Sequence, residues 1–591
     1  MALVFGLVLG LTLTGAGWAQ DKAAVSGGDR VLPAGPPKET VIFPLSEVKR
    51  GLRGVAYTVF EGVTPEPMEV EILGLLKNAL GPEQDMILAR LHGTKPEYTG
   101  VVAGMSGSPV YIDGRLVGAL SYRIGQFSKE PIAGITPIER MLELRDDALE
   151  THVSEARHGA PLSVAGIAGE ATTIETPLVF GGFSQEAVDR FGDRFKEMGL
   201  APVAGLGGSD AGAKQPEPLE PGSAVSAIFV RGDLSMAGTC TVTYMDAKRL
   251  LACGHPITQF GRVSMPMTKA TVLATLPSPF NAFKIINTTE TVGSFTEDRT
   301  SAIMGRFGEQ ARMIPVTVEV KGAKDRTVHF EVVDNKDLTP QVMLVSVYQS
   351  MQQTNGAAAE ASFRISGEVT MEGEPPVKLE GVIAPNELNP AAINTALYIN
   401  ERFGRLYANS AEQPVVTGLH LRAEAIGARK AAVIEEARLG KVETRAGETV
   451  DVEVTVHPYQ TAAQIVRVPV RIPEGTTPGD LRLVVSDSTT ADRMTELQNG
   501  AKRIVSLRDQ VEQMNRSHAN TGVYVTLLKH DAQAVLEGGT LGGVPLSMAN
   551  ALEPLKGEQR MQLTGETAVE LGSAKTGYSV TGAQVLTVRV R

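Results

Sequence analysis

The residues with the plainest chemical meaning are Gly104-Met105-Ser106-Gly107-Ser108-Pro109, a serine held between glycines ahead of the apolar run Val110-Tyr111-Ile112. Glycines on a turn between strands leave a serine hydroxyl exposed. They also let neighbouring backbone N–H groups converge on one point, as oxyanion stabilisation requires. A hydroxyl becomes a nucleophile only with a base beside it. His255 has the most suggestive setting among the histidines, because it ends the strand pair Thr239–Gly254 in a Gly254-His255-Pro256 turn. His152 and His158 lie on or just past a polar helix, His518 and His530 in polar stretches, His329 and His457 in alternating strands, and His92 near a strand end. The pattern offers Ser106 as nucleophile and His255 as base. A Gly/Ser turn without chemistry and a histidine that merely caps its turn are the bland readings of the same residues. Neither His-Glu-x-x-His nor paired Cys-x-x-Cys occurs, so no metal is expected. No phosphate- or dinucleotide-binding glycine loop occurs either, and no cofactor is expected; Gly205-Leu206-Gly207-Gly208 lies among prolines and reads as linker.

At 591 residues the chain is about four times the usual domain length, so several domains are expected. Its 42% hydrophobic content suffices for packed cores and excludes disorder for the bulk of it. The net charge of −11 argues against a nucleic-acid partner. With 62 glycines and 34 prolines, many turns joining many short strands are expected. Residues 1–19 read as a signal peptide, cleaved after Gly17-Trp18-Ala19, although it lacks a basic n-region, since no Lys or Arg precedes Lys22; an uncleaved anchor is the competing reading. The expected location is therefore exported: periplasm, cell envelope or extracellular.

The elements that must position the two residues follow from periodicity. Residues 20–44 are a linker. Strands are expected over Gly54–Phe60, Met68–Leu76, Asp85–Leu91, Gly100–Val102, Pro109–Ile112 and Leu116–Tyr122, with Asp113-Gly114 turning the last hairpin. Thr136 caps an expected helix running to about Ala156. Residues 45–159 thus form the half carrying Ser106. Residues 160–221 form an α+β insert with a helix at Gln185–Met198 and a linker at Ala201–Pro221, and residues 222–335 form the half carrying His255. Beyond lie an α+β region at 336–440, with strands over 340–385 and a helix at Ala391–Phe403, and β-sandwich-like strands at 441–488. The strict alternation of Val450, Val452, Val454 and Val456 marks the sandwich. Residues 489–591 carry a helix over Thr489–Asn515 and a final strand, Val585–Val590.

The Gly104–Pro109 loop followed by a hairpin resembles the nucleophile loop of chymotrypsin-like serine peptidases. There the spacing implies an oxyanion hole made by the N–H groups of Gly104 and Ser106. More specifically, Glu97–Leu142 resembles the C-terminal part of the SpoIVB-type sporulation peptidase domain. The likeness rests on the Gly-Met-Ser-Gly-Ser-Pro loop and on Asp113-Gly114-Arg115-Leu116-Val117-Gly118-Ala119. Leu219–Ile257 resembles the N-terminal part of the same domain, through a Pro-Gly-Ser opening, a Thr241-Val242-Thr243-Tyr244 strand and the Gly-His element. The resemblance implies Ser106 as nucleophile and His255 as base. The order is inverted, since in that family His precedes Ser. The family's acid, upstream of the serine, has no counterpart in Leu91–Pro96; Asp85, Glu97 and Asp298 are the carboxylates left to consider.

The expected fold is mostly β: a permuted chymotrypsin-like double β-barrel with an α+β insert, followed by β-sandwich-type C-terminal domains. The expected function is an exported serine endopeptidase acting on protein or peptide substrates, itself included. The alternative is a non-catalytic envelope binding or scaffold protein on a peptidase-derived fold. Cell-envelope association is open, as is the oligomeric state. The two cysteines add one structural expectation. A turn centred on Asp246-Ala247 pairs Tyr244 with Arg249, Val242 with Leu251 and Cys240 with Cys253. Directly opposed antiparallel residues sit about 4.5–5.5 Å apart, within disulfide range. Two buried thiols are the other reading.

Overall fold

The computed structural model describes residues 32–591 except 126–127, 129, 145–161, 164–169, 205–207, 210–211, 279–281, 323, 353–359, 500–505, 530–532, 537–538, 542–543, 545, 552–560 and 565–566. The expected signal peptide, His152, His158 and His530 lie outside the described residues.

The fold is mostly β. Strands β1 (Arg53–Thr58), β2 (Glu66–Gly81), β3 (Gln84–His92), β4 (Pro109–Ile112), β5 (Arg115–Ile124) and β6 (Ile132–Pro137) pair antiparallel in the order β1-β2-β3-β6-β5-β4. The pairing of β4 back onto β1 closes the ring. The six strands thus pair all the way round, and the alternating residues Met68, Val70, Ile72, Ile87, Ala89 and Leu91 fill the interior. Asp113 and Gly114 both have positive φ, as a two-residue hairpin between Ile112 and Arg115 demands.

Two expectations fail in this barrel. Gly100–Val102 is not a strand; the short helix α1 (Thr94–Thr99) precedes it and Gly100 ends that helix. Thr136 caps no helix. It lies in β6, the strand that closes the barrel between β3 and β5, and its hydroxyl is used elsewhere. The following helix, α2, covers only Ile138–Leu142 among the described residues, entered through Pro137.

Strands β7 (Leu162–Ser163) and β8 (Glu170–Thr173) extend the first sheet alongside β5. Next come β9 (Thr176–Gly181), helix α3 (Gln185–Lys196) and β10 (Leu200–Ala204). The helix matches its expected start, with the Ser184 hydroxyl accepting the Ala187 N–H as its cap. The expected linker at Ala201–Pro221 instead begins as β10, which pairs parallel to β9.

A second ring follows: β11 (Ala224–Gly232), β12 (Ser235–Met245), β13 (Arg249–Ala252), β14 (Gly261–Leu276), β15 (Phe283–Arg299) and β16 (Ala302–Phe307). Its pairing order, β11-β12-β13-β16-β15-β14 and back to β11, repeats that of the first ring strand for strand. A bulge between Ile228 and Val230 bends β11 out of the ring to pair with β18 (Arg326–Val333), next to β17 (Met313–Lys321).

Residues 340–385, expected as strands throughout, begin with a buried helix, α4 (Leu338–Gln352). It is buried on nearly every face, with Thr339, Ser346, Gln349 and Ser350 among the buried residues, so no helical stripe is visible in its sequence. Strands β19 (Ser362–Met371) and β20 (Glu374–Ile383), helix α5 (Ala391–Tyr407) and β21 (Val416–Ile426) complete this region. The C-terminal part holds a four-stranded and a five-stranded sheet around one core containing Val452, Val454, Val468, Leu483, Val525 and Val588. Strands Ala431–Leu439 and Ala583–Val590 belong to it, so it reaches beyond 441–488 at both ends. The helix expected over Thr489–Asn515 is two, Ser488–Asn499 and Leu507–Asn515.

Candidate functional site

Ser106 lies in the connection between β3 and β4, the third and fourth strands of the first ring. His255 lies between β13 and β14, the third and fourth strands of the second. The Ser106 loop is fastened from both sides. On its own barrel, the Gly107 N–H donates to the Leu120 carbonyl (2.7 Å) and the Leu120 N–H to the Ser108 carbonyl (3.0 Å). The Ser108 hydroxyl donates to the Met105 carbonyl (2.6 Å). From the second barrel, β12 caps three loop carbonyls. The Thr241 hydroxyl donates to Gly104 (3.0 Å), the Thr241 N–H to Ser106 (2.8 Å) and the Thr243 hydroxyl to Gly107 (2.7 Å). The N–H groups of Gly104 and Ser106, expected to form the oxyanion hole, donate none of these bonds.

Gly107 has φ +92°, and a Cβ there would stand 2.0 Å from the Thr241 carbonyl oxygen and 2.5 Å from the Cys253 nitrogen. Only glycine allows this approach. It places the residue after Ser106 against the residue two before His255. The Ser106 hydroxyl is buried, and its Oγ has no hydrogen-bond partner among the described residues.

The second loop is held as firmly. Cys240 and Cys253 form a disulfide with Cα atoms 5.2 Å apart. The bridge is the expected one, but its register is not. Met245 pairs with Leu250, Tyr244 with Leu251 and Val242 with Ala252, with a bulge between Val242 and Tyr244. The turn is therefore wider than two residues, and the irregularity returns the cysteines to bonding distance. The Cys253 N–H donates to the Thr241 carbonyl (3.2 Å), and the Thr136 hydroxyl of the first barrel donates to the Gly254 carbonyl (2.7 Å). His255 itself is 2% exposed, with Nδ1 2.7 Å from the Pro256 carbonyl oxygen. A carbonyl only accepts, so Nδ1 carries the proton, and Nε2 of the neutral ring is the basic nitrogen.

Of the three carboxylates considered, Asp85 accepts the Asn78 N–H in the β2–β3 hairpin and Glu97 accepts the Gly93 N–H on α1, so both are engaged away from the second loop. Asp298, at the end of β15, is wholly buried beneath the His255 loop. It accepts the N–H groups of Ile257 (2.9 Å), Thr258 (2.6 Å) and Gln259 (2.9 Å) and the Thr258 hydroxyl (2.6 Å). Burial raises its carboxyl above the ordinary aspartate range, and the four donors pull the other way. It fixes the backbone that follows His255, and its hydrogen-bond partners are that backbone and the Thr258 hydroxyl.

Sequence reasoning passed over Lys284. This lysine on β15 is fully buried beside Gly104, and its Nζ donates to the Thr58 hydroxyl of the first barrel (2.7 Å). Desolvation pushes its amine down to about 7, with Glu66 pulling weakly upward. A lone lysine in an otherwise ordinary strand carries no sequence signal of this. The threonines capping the Ser106 loop were likewise visible only as strand formers.

Protein-family models, curated proteins and solved structures were compared with the chain, and none matches. Among the described residues no helix is long and apolar enough to cross a membrane, and no cluster of three or more His, Cys, Asp or Glu side chains could hold a metal.

Proposed function

We propose that the chain is a serine-type endopeptidase of the SpoIVB kind, on a chymotrypsin-like pair of barrels in inverted chain order. One observation supports the reading: equivalent connections of two identically ordered barrels meet at one seam, and one carries Ser106 while the other carries His255. Ser106 Oγ attacks the peptide carbonyl carbon as its proton passes to His255 Nε2. The N–H groups of Gly104 and Ser106 hold the oxyanion. Collapse breaks the C–N bond, Nε2 returns the proton to the leaving amine, and water then hydrolyses the acyl-enzyme by the same relay. With the Nδ1 proton held by the Pro256 carbonyl, a Ser–His dyad operates, and Asp298 positions the loop. Both reacting groups are sealed from solvent, so turnover requires the loop to shift as substrate enters. We place the protein in an exported compartment at the cell envelope. The Cys240–Cys253 bridge supports this, because such bonds are rare where thiols are kept reduced.

A second reading, a non-catalytic scaffold on a peptidase-derived fold, is favoured by the sealed serine. A fluorophosphonate probe separates the two. Labelling at Ser106 that vanishes in Ser106→Ala and falls sharply in His255→Ala is the expected result. Labelling unchanged in Ser106→Ala, or none in the intact chain, overturns the peptidase reading.

A further inference from the structure

Along β5, strand β6 covers one edge from Gly118 to Arg123. The other edge is shared by three segments in succession. Strand β4 pairs with Arg115–Ala119, the Ser106 loop bonds Leu120 through Ser108 and Gly107, and the Ser121 carbonyl accepts the Ile174 N–H at 2.8 Å. Strand β8 then sets Thr173, Thr172 and Ala171 opposite Tyr122, Arg123 and Ile124. A bulge in β5 between Leu120 and Tyr122 marks the change from the serine loop to β8. Residues 171–174 are thus the next backbone on this edge after the nucleophile loop.

From there the chain crosses to the other barrel alongside that loop. Ile174 is 2% exposed, within the apolar cluster that contains Val102, Met105 and Leu120. A Cβ on Gly104 would stand 3.4 Å from Pro177 Cγ, so Pro177 packs against Gly104. Leu178 then pairs with Gly238 on β12, three residues before Thr241, which holds the Gly104 and Ser106 carbonyls. Ser106 itself is fully buried.

A sheet edge is where an extended chain docks by adding a strand, its backbone bonding the edge and its alternate side chains filling pockets. The edge that leads to Ser106 is already held by the chain's own residues 171–174. We propose that residues 171–177 are an autoinhibitory strap occupying the place of the substrate, an extended polypeptide with an aliphatic side chain where the strap has Ile174. This rests on the peptidase reading and adds its regulation. A substrate strand competes with the strap for the edge from Ser121 to Ile124, and Ser106 is reached when the strap leaves it.

Binding is measured on the full chain carrying Ser106→Ala, by anisotropy of a labelled peptide of residues 170–178, Glu-Ala-Thr-Thr-Ile-Glu-Thr-Pro-Leu. Ile174→Ala empties the strap's apolar anchor and is expected to bind the peptide on the order of tenfold tighter than its parent. Thr173→Gly, which weakens the strand without opening the core, should gain in the same direction. Adding Arg123→Cys and Thr172→Cys to either variant places two cysteines at directly opposed positions of β5 and β8, close enough to bridge. Oxidation should then clamp the strap and abolish the gained binding, and reduction should restore it. Binding unchanged by Ile174→Ala and Thr173→Gly, or unaffected by closing the clamp, overturns the strap. Fluorophosphonate labelling of chains that keep Ser106 is read separately. It should be faster in Thr173→Gly than in the unmutated chain, and equal rates overturn the strap as the barrier to Ser106. Labelling without strap-dependent peptide binding removes the strap alone, and strap-dependent binding without labelling removes the peptidase reading alone.

Discussion

Replacing Lys284 by Met tests whether the seam beside Ser106 is as dry as the packing implies. The amine is fully buried, and its pKa is about 7 in the fold. In the unfolded chain it is about 10.4. Between those values the unfolded chain holds a proton that the folded chain has released, so stability rises with pH across this window. Below about pH 7 the folded state must bury an ammonium, and the penalty is fully in force. The separation corresponds to about 4–5 kcal/mol across the whole window, and about 2–3 kcal/mol between pH 7 and pH 9. Methionine fills nearly the same volume and removes the titration, but leaves the Thr58 hydroxyl without its partner, a loss of about 1 kcal/mol. The variant should therefore be more stable than the original chain at about pH 6, by a margin that shrinks as pH rises, and equal or slightly less stable only above about pH 10. Urea denaturation of both proteins across this range, followed by far-UV circular dichroism, reads the difference directly. A stability difference constant with pH refutes the reasoning, because it means the amine remains hydrated in the fold.

Gly107→Ala drives a methyl group into the Thr241 carbonyl and the Cys253 nitrogen at a positive φ. It should cost about 3 kcal/mol or more by urea denaturation; unchanged stability would mean the Ser106 loop does not sit against the second barrel. The Cys240–Cys253 bridge spans 13 residues and should contribute about 2–3 kcal/mol, lost in the double Ser variant. Thiol titration of the unreduced, denatured protein should find neither cysteine free, and two free thiols refute the bridge.

What the sequence made legible was local. Asp113-Gly114 allows one tight hairpin, the helix expected from Gln185 starts there, and the valine alternation of 450–456 can only be a half-buried strand. The cysteine bridge was legible although its register was not. A bulge leaves no mark in residue types, yet strands that converge anyway keep the cysteines within reach. What escaped depends on distant partners. Ile132–Pro137 is a short run interrupted by Gly134 and ended by Pro137, with no alternation to mark it, and its strand is shown by its pairing with β3 and β5, which closes the ring. Helix α4 shows no polar stripe because the surrounding strands and α5 cover it. Lys284 looks like a surface cation in sequence, and only the packed seam gives it its setting.

On the proposed peptidase reading, Ser106 precedes His255 where the family it resembles has them the other way round, and the strand order of the two rings accommodates either order. Both rings follow the same strand order, so the connection from third to fourth strand leaves each ring at the same place. Two such rings docked together bring their equivalent connections to one seam whichever comes first along the chain. Exchanging the rings in sequence changes only whether the serine-bearing or the histidine-bearing ring comes first. The contacts across the seam are consistent with this: Thr241 and Thr243 hold the serine loop from the histidine's ring, while Thr136 holds Gly254 from the serine's ring. Each loop is thus positioned in part by the opposite barrel. A mutation that loosens the docking of the rings should displace both residues together, even where neither loop is touched.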